Sequence, residues 1–122
     1  MKCIVFKNHL NIDMYLYEDV FKSIIEKDIE KTQVLEALVE LFGHPDEIWM
    51  FDYSGDSTLI AYKYIKFYKD CTLFGIVDMM DIMEQKIIDF YRVDYDEKVL
   101  ENGKEVYKID FERKGQLIRS AD

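Results

Sequence analysis

The single proline of the chain, Pro45, divides it into two unlike parts. Proline cannot continue a helix, because it lacks the backbone N–H and its ring collides with the preceding turn. Gly43 stands two residues ahead of it, where helices commonly end in left-handed backbone. Before this break the apolar residues recur at helical spacing; after it they come in short runs bounded by turn residues. Helices followed by strands predict an α+β domain, with two N-terminal helices packed on one face of a roughly four-stranded antiparallel sheet.

The helical part is expected to begin after a turn at Asn8-His9-Leu10-Asn11, with Asp13 as N-cap. Tyr17, Val20, Phe21, Ile24 and Ile25 then fall on one helix face, and Glu18 and Asp19 sit where the helix dipole favours anions. A second helix is expected from Thr32 to Phe42, burying Leu35, Leu38, Val39 and Phe42. Ile4-Val5-Phe6 is short enough for an edge strand. Beyond Pro45, Ile48-Trp49-Met50-Phe51 is a short apolar run, and Tyr53-Ser54-Gly55-Asp56-Ser57 is a turn. Strands are expected over 58–69, 72–78, 85–93 and 105–111, with a tight hairpin at Lys69-Asp70 and a turn at Glu101-Asn102-Gly103-Lys104. Met79–Glu84 reads as a helical turn or as a wide loop, its methionines as core filler or as adaptable contact surface. No repeat or low-complexity linker interrupts the chain, so residues 1–122 read as a single domain.

The strand expected over 58–69 contains Tyr62-Lys63-Tyr64-Ile65-Lys66-Phe67-Tyr68-Lys69. Alternation puts Tyr62, Tyr64, Lys66 and Tyr68 on one face and Lys63, Ile65, Phe67 and Lys69 on the other. A row of tyrosines with a lysine among them can stack bases and hold a phosphate. Strand propensity for tyrosine and lysines that keep an exposed strand in solution account for the same composition. Packing against helices favours Ile65, Phe67, Val77 and Ile87 inward, which turns the tyrosine row outward.

A hydrophobic fraction of 49% with 34% charged residues is that of a soluble globular protein rather than a disordered one. No apolar run approaches the roughly 20 residues that span a bilayer. The start of the chain lacks the apolar stretch of a signal peptide, so a cytoplasmic location is expected. Cys3 and Cys71 have no metal-ligand spacing and are expected as buried small hydrophobes in a reducing compartment. A formal net charge of −9 opposes unspecific binding to nucleic acid. The charge is uneven: residues 1–50 hold five Lys/Arg against ten Asp/Glu, so the helical half is the acidic half.

The sequence shows no phosphate-binding glycine loop, nucleophile elbow or metal-ligand cluster, so no cofactor or metal is expected. Asp94, Asp96 and Glu97 read as a solvated turn. His9, in a polar turn, has the pKa range of a general base and equally suits an ordinary surface turn. His44 is explained by the end of the second helix. Arg92 and the Arg113-Lys114 pair offer donors for phosphate, but serve as well as partners for this chain's carboxylates. Asp89 and Glu47 are candidate bases with the same alternative.

Several of these pieces stand in a recognisable order: the His9 segment, two helices, Pro45-Asp46-Glu47-Ile48-Trp49, Tyr64–Asp70, Ile88-Asp89-Phe90-Tyr91-Arg92, and Arg113-Lys114-Gly115-Gln116-Leu117-Ile118. From about His9 to Ile118 the chain resembles a phage-associated nuclease-like domain. That domain occurs at the C-terminus of MuF-type phage head morphogenesis proteins and is grouped with the barnase, EndoU, colicin and RelE-like ribonucleases. The resemblance implies N-terminal helices, a four-stranded antiparallel sheet and metal-independent RNA cleavage by 2′-hydroxyl attack. It further implies His9 as general base or acid and Arg113 and Lys114 as phosphate-stabilising groups. Lys66 and Arg92 would support them, and Tyr64, Tyr68 and Tyr91 would stack bases. The acidic balance leaves open a non-enzymatic interaction protein of the immunity or anti-defence type, which would occupy a basic protein partner, or an inactive structural accessory of a phage particle.

Overall fold

Asp13–Tyr17 alternates strictly, with Met14 and Leu16 fully buried and the flanking residues half-exposed, and it forms a strand rather than the start of a helix. The computed structural model describes residues 2–120; the outermost positions of the expected 1–122 domain (1, 121 and 122) lie outside the described residues. Strands β1 (Cys3–Lys7) and β2 (Asp13–Tyr17) form an opening hairpin, and helix α1 (Glu18–Lys27) follows at once. A 3-10 turn (Ile29–Lys31), α2 (Thr32–Leu35) and α3 (Leu38–Gly43) complete the helical layer. Beyond Pro45 come β3 (Glu47–Asp52), β4 (Ile60–Phe67), β5 (Cys71–Asp78) and β6 (Gln85–Asp94). A small hairpin of β7 (Lys98–Glu101) and β8 (Lys104–Tyr107), then α4 (Lys108–Glu112) and β9 (Gln116–Ser120), close the described chain.

The fold is α+β, but the sheet has seven strands in the order β1-β2-β6-β5-β4-β3-β9, with β7-β8 as a separate pair. It is mixed: β2 runs parallel to β6 over Met14↔Gln85 and Tyr15↔Lys86, and the other neighbours are antiparallel. The expected four-stranded antiparallel sheet under two helices is therefore corrected. Both ends of the chain supply extra strands, and the second expected helix is broken. The Ala37 N–H bonds to the Val34 carbonyl at 2.9 Å, an i to i+3 bond that tightens the turn and redirects α3. Val34, Leu38, Leu41 and Phe42 consequently point inward, while Val39 is 66% exposed. The expected strand over 105–111 stops at Tyr107, because α4 is needed to set Ile109 against the sheet.

The sheet is covered on both sides. On the helical face Tyr62 and Tyr64 join Phe6, Met14, Leu16, Ile24, Leu38, Phe42, Ile48, Val77, Ile87 and Phe90. On the far face Ile65, Phe74 and Val93 pack with Ile109 of α4, against Trp49, Phe67 and Tyr91. The tyrosine row thus points toward the helices, opposite to expectation, and Tyr64 is only 1% exposed. Ile65 and Phe67 have a second core of their own, a solution that a single covered face does not offer. Val77 and Ile87 do face the helices; pairing moves from Ile76↔Asp89 to Val77↔Ile87, so Ile88 is an extra residue that shifts the phase of β6. Cys3, expected to be buried, lies exposed on the edge strand, and Cys71 is half-buried; both are free thiols.

One row across the helical face fixes the layer above it: Ile48↔Tyr64↔Gly75↔Phe90. A Cβ at Gly75 would lie 2.6 Å from Cζ of Phe42 and 3.1 Å from Cδ2 of Leu41. Those rings and methyls are packed among fully buried neighbours and have nowhere to go. Gly75→Ala is expected to lower the urea-unfolding free energy by about 1–3 kcal/mol. Phe42→Leu on that background is expected to recover part of the loss; a Gly75→Ala protein of unchanged stability contradicts this packing.

Candidate functional site

With Tyr64 on the helical face, its neighbour Lys63 must project onto the far face, where it is only 5% exposed. Its Nζ donates to the Glu112 carbonyl at 2.9 Å and to Glu112 Oε2 at 2.7 Å, and lies 4.4 Å from the centre of the Phe51 ring. The same cross-strand line continues Trp49↔Lys63↔Ile76↔Asp89. Asp89 accepts from Lys31 at 3.2 Å. Lys31 reaches it because β2 pairs with β6 only at Gln85 and Lys86. One residue pair along, Tyr91 stacks on Phe74 with centroids 5.2 Å apart, and Nζ of Lys31 and Lys108 stand 5.7 and 6.0 Å from its ring centre. Burial, then the adjoining Glu112 carboxylate, push the Tyr91 hydroxyl far above its ordinary range, so it stays a neutral donor.

These groups, with Phe51, Tyr53, Glu97 and Arg92, enclose a cleft of about 580 Å³. It shares Asp28, Lys31, Tyr91, Arg92 and Glu97 with a second cleft of about 790 Å³, which adds Tyr68, Lys69 and Asp70. The first cleft gathers Lys31, Lys63, Arg92 and Lys108, but also Asp28, Asp89, Glu97 and Glu112. Its cations are balanced by carboxylates, so the aromatic walls enclose a polar space without a net positive field for a polyanion.

Of the residues singled out in the sequence, Tyr68, Tyr91, Arg92 and Asp89 line these joined clefts. The remainder are placed elsewhere. Arg92 itself turns back to Asp94 at 2.8 Å. The Tyr68 hydroxyl is buried beside Glu40, and burial with that carboxylate pushes it up to about 12. Tyr64 is sealed in the core, and burial raises its hydroxyl to about 12. Lys66 donates to the His44 carbonyl at 2.8 Å and lies 3.9 and 3.8 Å from Glu40 and Asp46. Arg113 makes a two-pronged pair with Glu47, at 2.7 and 2.6 Å, and Trp49 Nε1 donates to the same carboxylate at 2.9 Å. Lys114 is paired with Glu101 and lies over the Phe111 ring.

His9 and Arg113 are on opposite sides of the sheet. The His9 ring lies 6.1 Å from that of Tyr64, and its Nδ1 is buried without a partner. Burial and the nearby Arg119 lower its pKa, which keeps the imidazole neutral. Arg119 stands opposite Ile48, on the helical face, whereas Glu47 and the Arg113 it holds are on the far face. No single phosphate is within reach of both groups.

Lys31, Lys63, Lys108 and Glu112 are among the cleft residues that were not candidates for the site. The signal for Lys63 was present in its phase: it alternates with the Ile65 and Phe67 row, which has a core of its own. No family model matches the chain, and no curated protein or solved structure matches it. Among the described residues no group of three or more His, Cys, Asp or Glu is placed to hold a metal ion, and no helix is long and apolar enough to cross a membrane.

The Glu47 pair carries a pH dependence. Burial pushes this carboxyl up, but hydrogen bonds from Arg113 and Trp49 outweigh it and hold the group below its ordinary 4.5. A carboxyl with a depressed folded pKa contributes fully above its unfolded value and loses that contribution as pH falls through the folded one. Glu47→Gln is expected to be about 2 kcal/mol less stable near neutrality. The gap to the native chain is expected to close on acidification below about pH 4.5, measured by urea unfolding. A gap that persists at low pH assigns the effect to something other than the ion pair.

Proposed function

We propose that this chain is a non-enzymatic acidic binding protein that presents the carboxylates of its helical layer to a basic protein partner. The observation that carries this reading is the engagement of its cations. Arg113, Lys114, Lys66 and Arg92, the groups a nuclease would turn toward phosphate, are each held by a carboxylate of the same chain. Between Glu18 and Asp46, by contrast, eight Asp and Glu face three lysines. Glu26, Glu30, Glu36 and Glu40 all lie exposed there, so the layer over the sheet carries an excess of negative charge although Lys22 and Lys27 are exposed beside them. Such a surface steers a basic partner and repels nucleic acid.

A second reading, metal-independent RNA cleavage, is favoured by the gathering of Tyr68, Tyr91 and Arg92 along the joined clefts. Total RNA incubated with the purified protein in EDTA separates the two. Intact RNA is expected; discrete fragments that vanish in Arg92→Ala would establish the nuclease instead. On the binding side, affinity for a poly-lysine peptide is expected to fall steeply with added salt. It is expected to drop about tenfold or more when Glu26, Glu30 and Glu36 are changed to Lys together. Equal affinity in that variant removes the helical layer as the docking surface.

A further inference from the structure

The segment joining β5 to β6, Asp78-Met79-Met80-Asp81-Ile82-Met83-Glu84, holds three carboxylates and no cation. Its shape is set locally: Asp78 accepts the Met80 N–H at 2.8 Å, Asp81 accepts the Met83 N–H at 3.0 Å, and the Glu84 N–H returns to the Asp81 carbonyl at 3.1 Å. Met79 packs against the core beneath the helices and anchors the segment. The Tyr17 hydroxyl donates to Glu84 and ties the segment to the end of β2. With its ends fixed, the segment pushes its largest apolar side chains into solvent: Met80 is 60%, Ile82 68% and Met83 88% exposed. Met80 keeps one tie to the fold, its Sδ accepting the Ile60 N–H at 3.4 Å; no such bond accounts for Ile82 or Met83, and exposing large apolar side chains together is unfavourable in an isolated chain.

Resting on the reading of this protein as an acidic binding protein, we infer that this segment is where the partner's apolar side chains dock. Met80, Ile82 and Met83 take the apolar face of a basic amphipathic segment of the partner, and Asp78, Asp81 and Glu84 meet its cations. The chemistry of each component fits that occupant. Unbranched, polarizable methionines adapt to side chains of differing shape. The carboxylates surrounding them select lysine- and arginine-bearing segments over neutral or acidic ones. A second copy of this chain would bring the same three carboxylates against themselves, which like-charge repulsion disfavours.

The test uses the full chain labelled at its methionine methyl carbons, titrated with a synthetic helix-forming peptide of leucine and lysine at amphipathic spacing. The methyl resonances of Met80 and Met83 are expected to shift, and that of the fully buried Met14 to stay. Changing Ile82 and Met83 together to Ser is expected to weaken peptide binding about tenfold, with unfolding unchanged because these two side chains are exposed. Replacing the peptide's leucines by serine at constant charge is expected to weaken it similarly. Peptide binding that leaves Met80 and Met83 unmoved, yet is lost on reversing Glu26, Glu30 and Glu36, overturns this inference while the acidic-layer reading stands. An absence of any binding overturns both. Met83 shifts that follow protein concentration without peptide identify a second copy as the occupant and also overturn it.

Discussion

The ring of Phe42 occupies the space where any residue but glycine at position 75 would place its Cβ, and most of the molecule is arranged around that contact. Gly75 lies in the central strand of the main sheet, so the gap it leaves is in the middle of the helical face. Phe42 enters it from the last turn of α3, with the Tyr64 ring edge-on at 5.2 Å and Phe6 at 5.9 Å. Because α3 must descend this far, its C-terminal end lies against β1, at the edge of the sheet formed by the opening hairpin. The His9 environment follows: a turn residue is carried onto the buried Tyr64 ring.

The division at Pro45, the turn at Asn8, the hairpin at Lys69-Asp70 and the core strands were legible because each rests on local chemistry. A proline, a side-chain amide bonding two nearby N–H groups, or a run of β-branched and aromatic residues acts over a few positions. What was not legible depended on partners distant in sequence. Met14 and Leu16 form a strand face because β1 and β6 flank it on either side, and Tyr17 at a helix boundary fits either period. The orientation of the tyrosine row turned on whether the far face had a cover. That cover, α4, is a five-residue helix whose one buried side chain, Ile109, leaves no periodic signature.

Candidate chemistry was legible by residue type and not by assembly. Arginine and lysine were found, but whether a guanidinium is free or clasped by a carboxylate is settled by register, and Glu47 lies far from Arg113 in sequence. Tyr68, Tyr91 and Asp89 came together because β4, β5 and β6 are consecutive antiparallel neighbours, which the hairpin turns already implied. His9 and Arg113 separated because β3 places Glu47 and Ile48 on opposite faces, a one-residue phase that alternation alone could not assign. In an acidic chain, intramolecular pairing is the default for scattered cations, and it converts apparent phosphate ligands into structural ties.

The parallel pairing of β2 with β6 has a kinetic consequence. The β1–β2 hairpin can form early from its own turn, but its place in the sheet is defined by two residue pairs on a strand from much later in the chain. Loop closure over that separation is entropically costly, so the hairpin is expected to dock late in folding. The side chains of Met14 and Leu16, buried in the finished fold, are expected to stay exposed until then, which opens this segment of a newly made chain to misassembly.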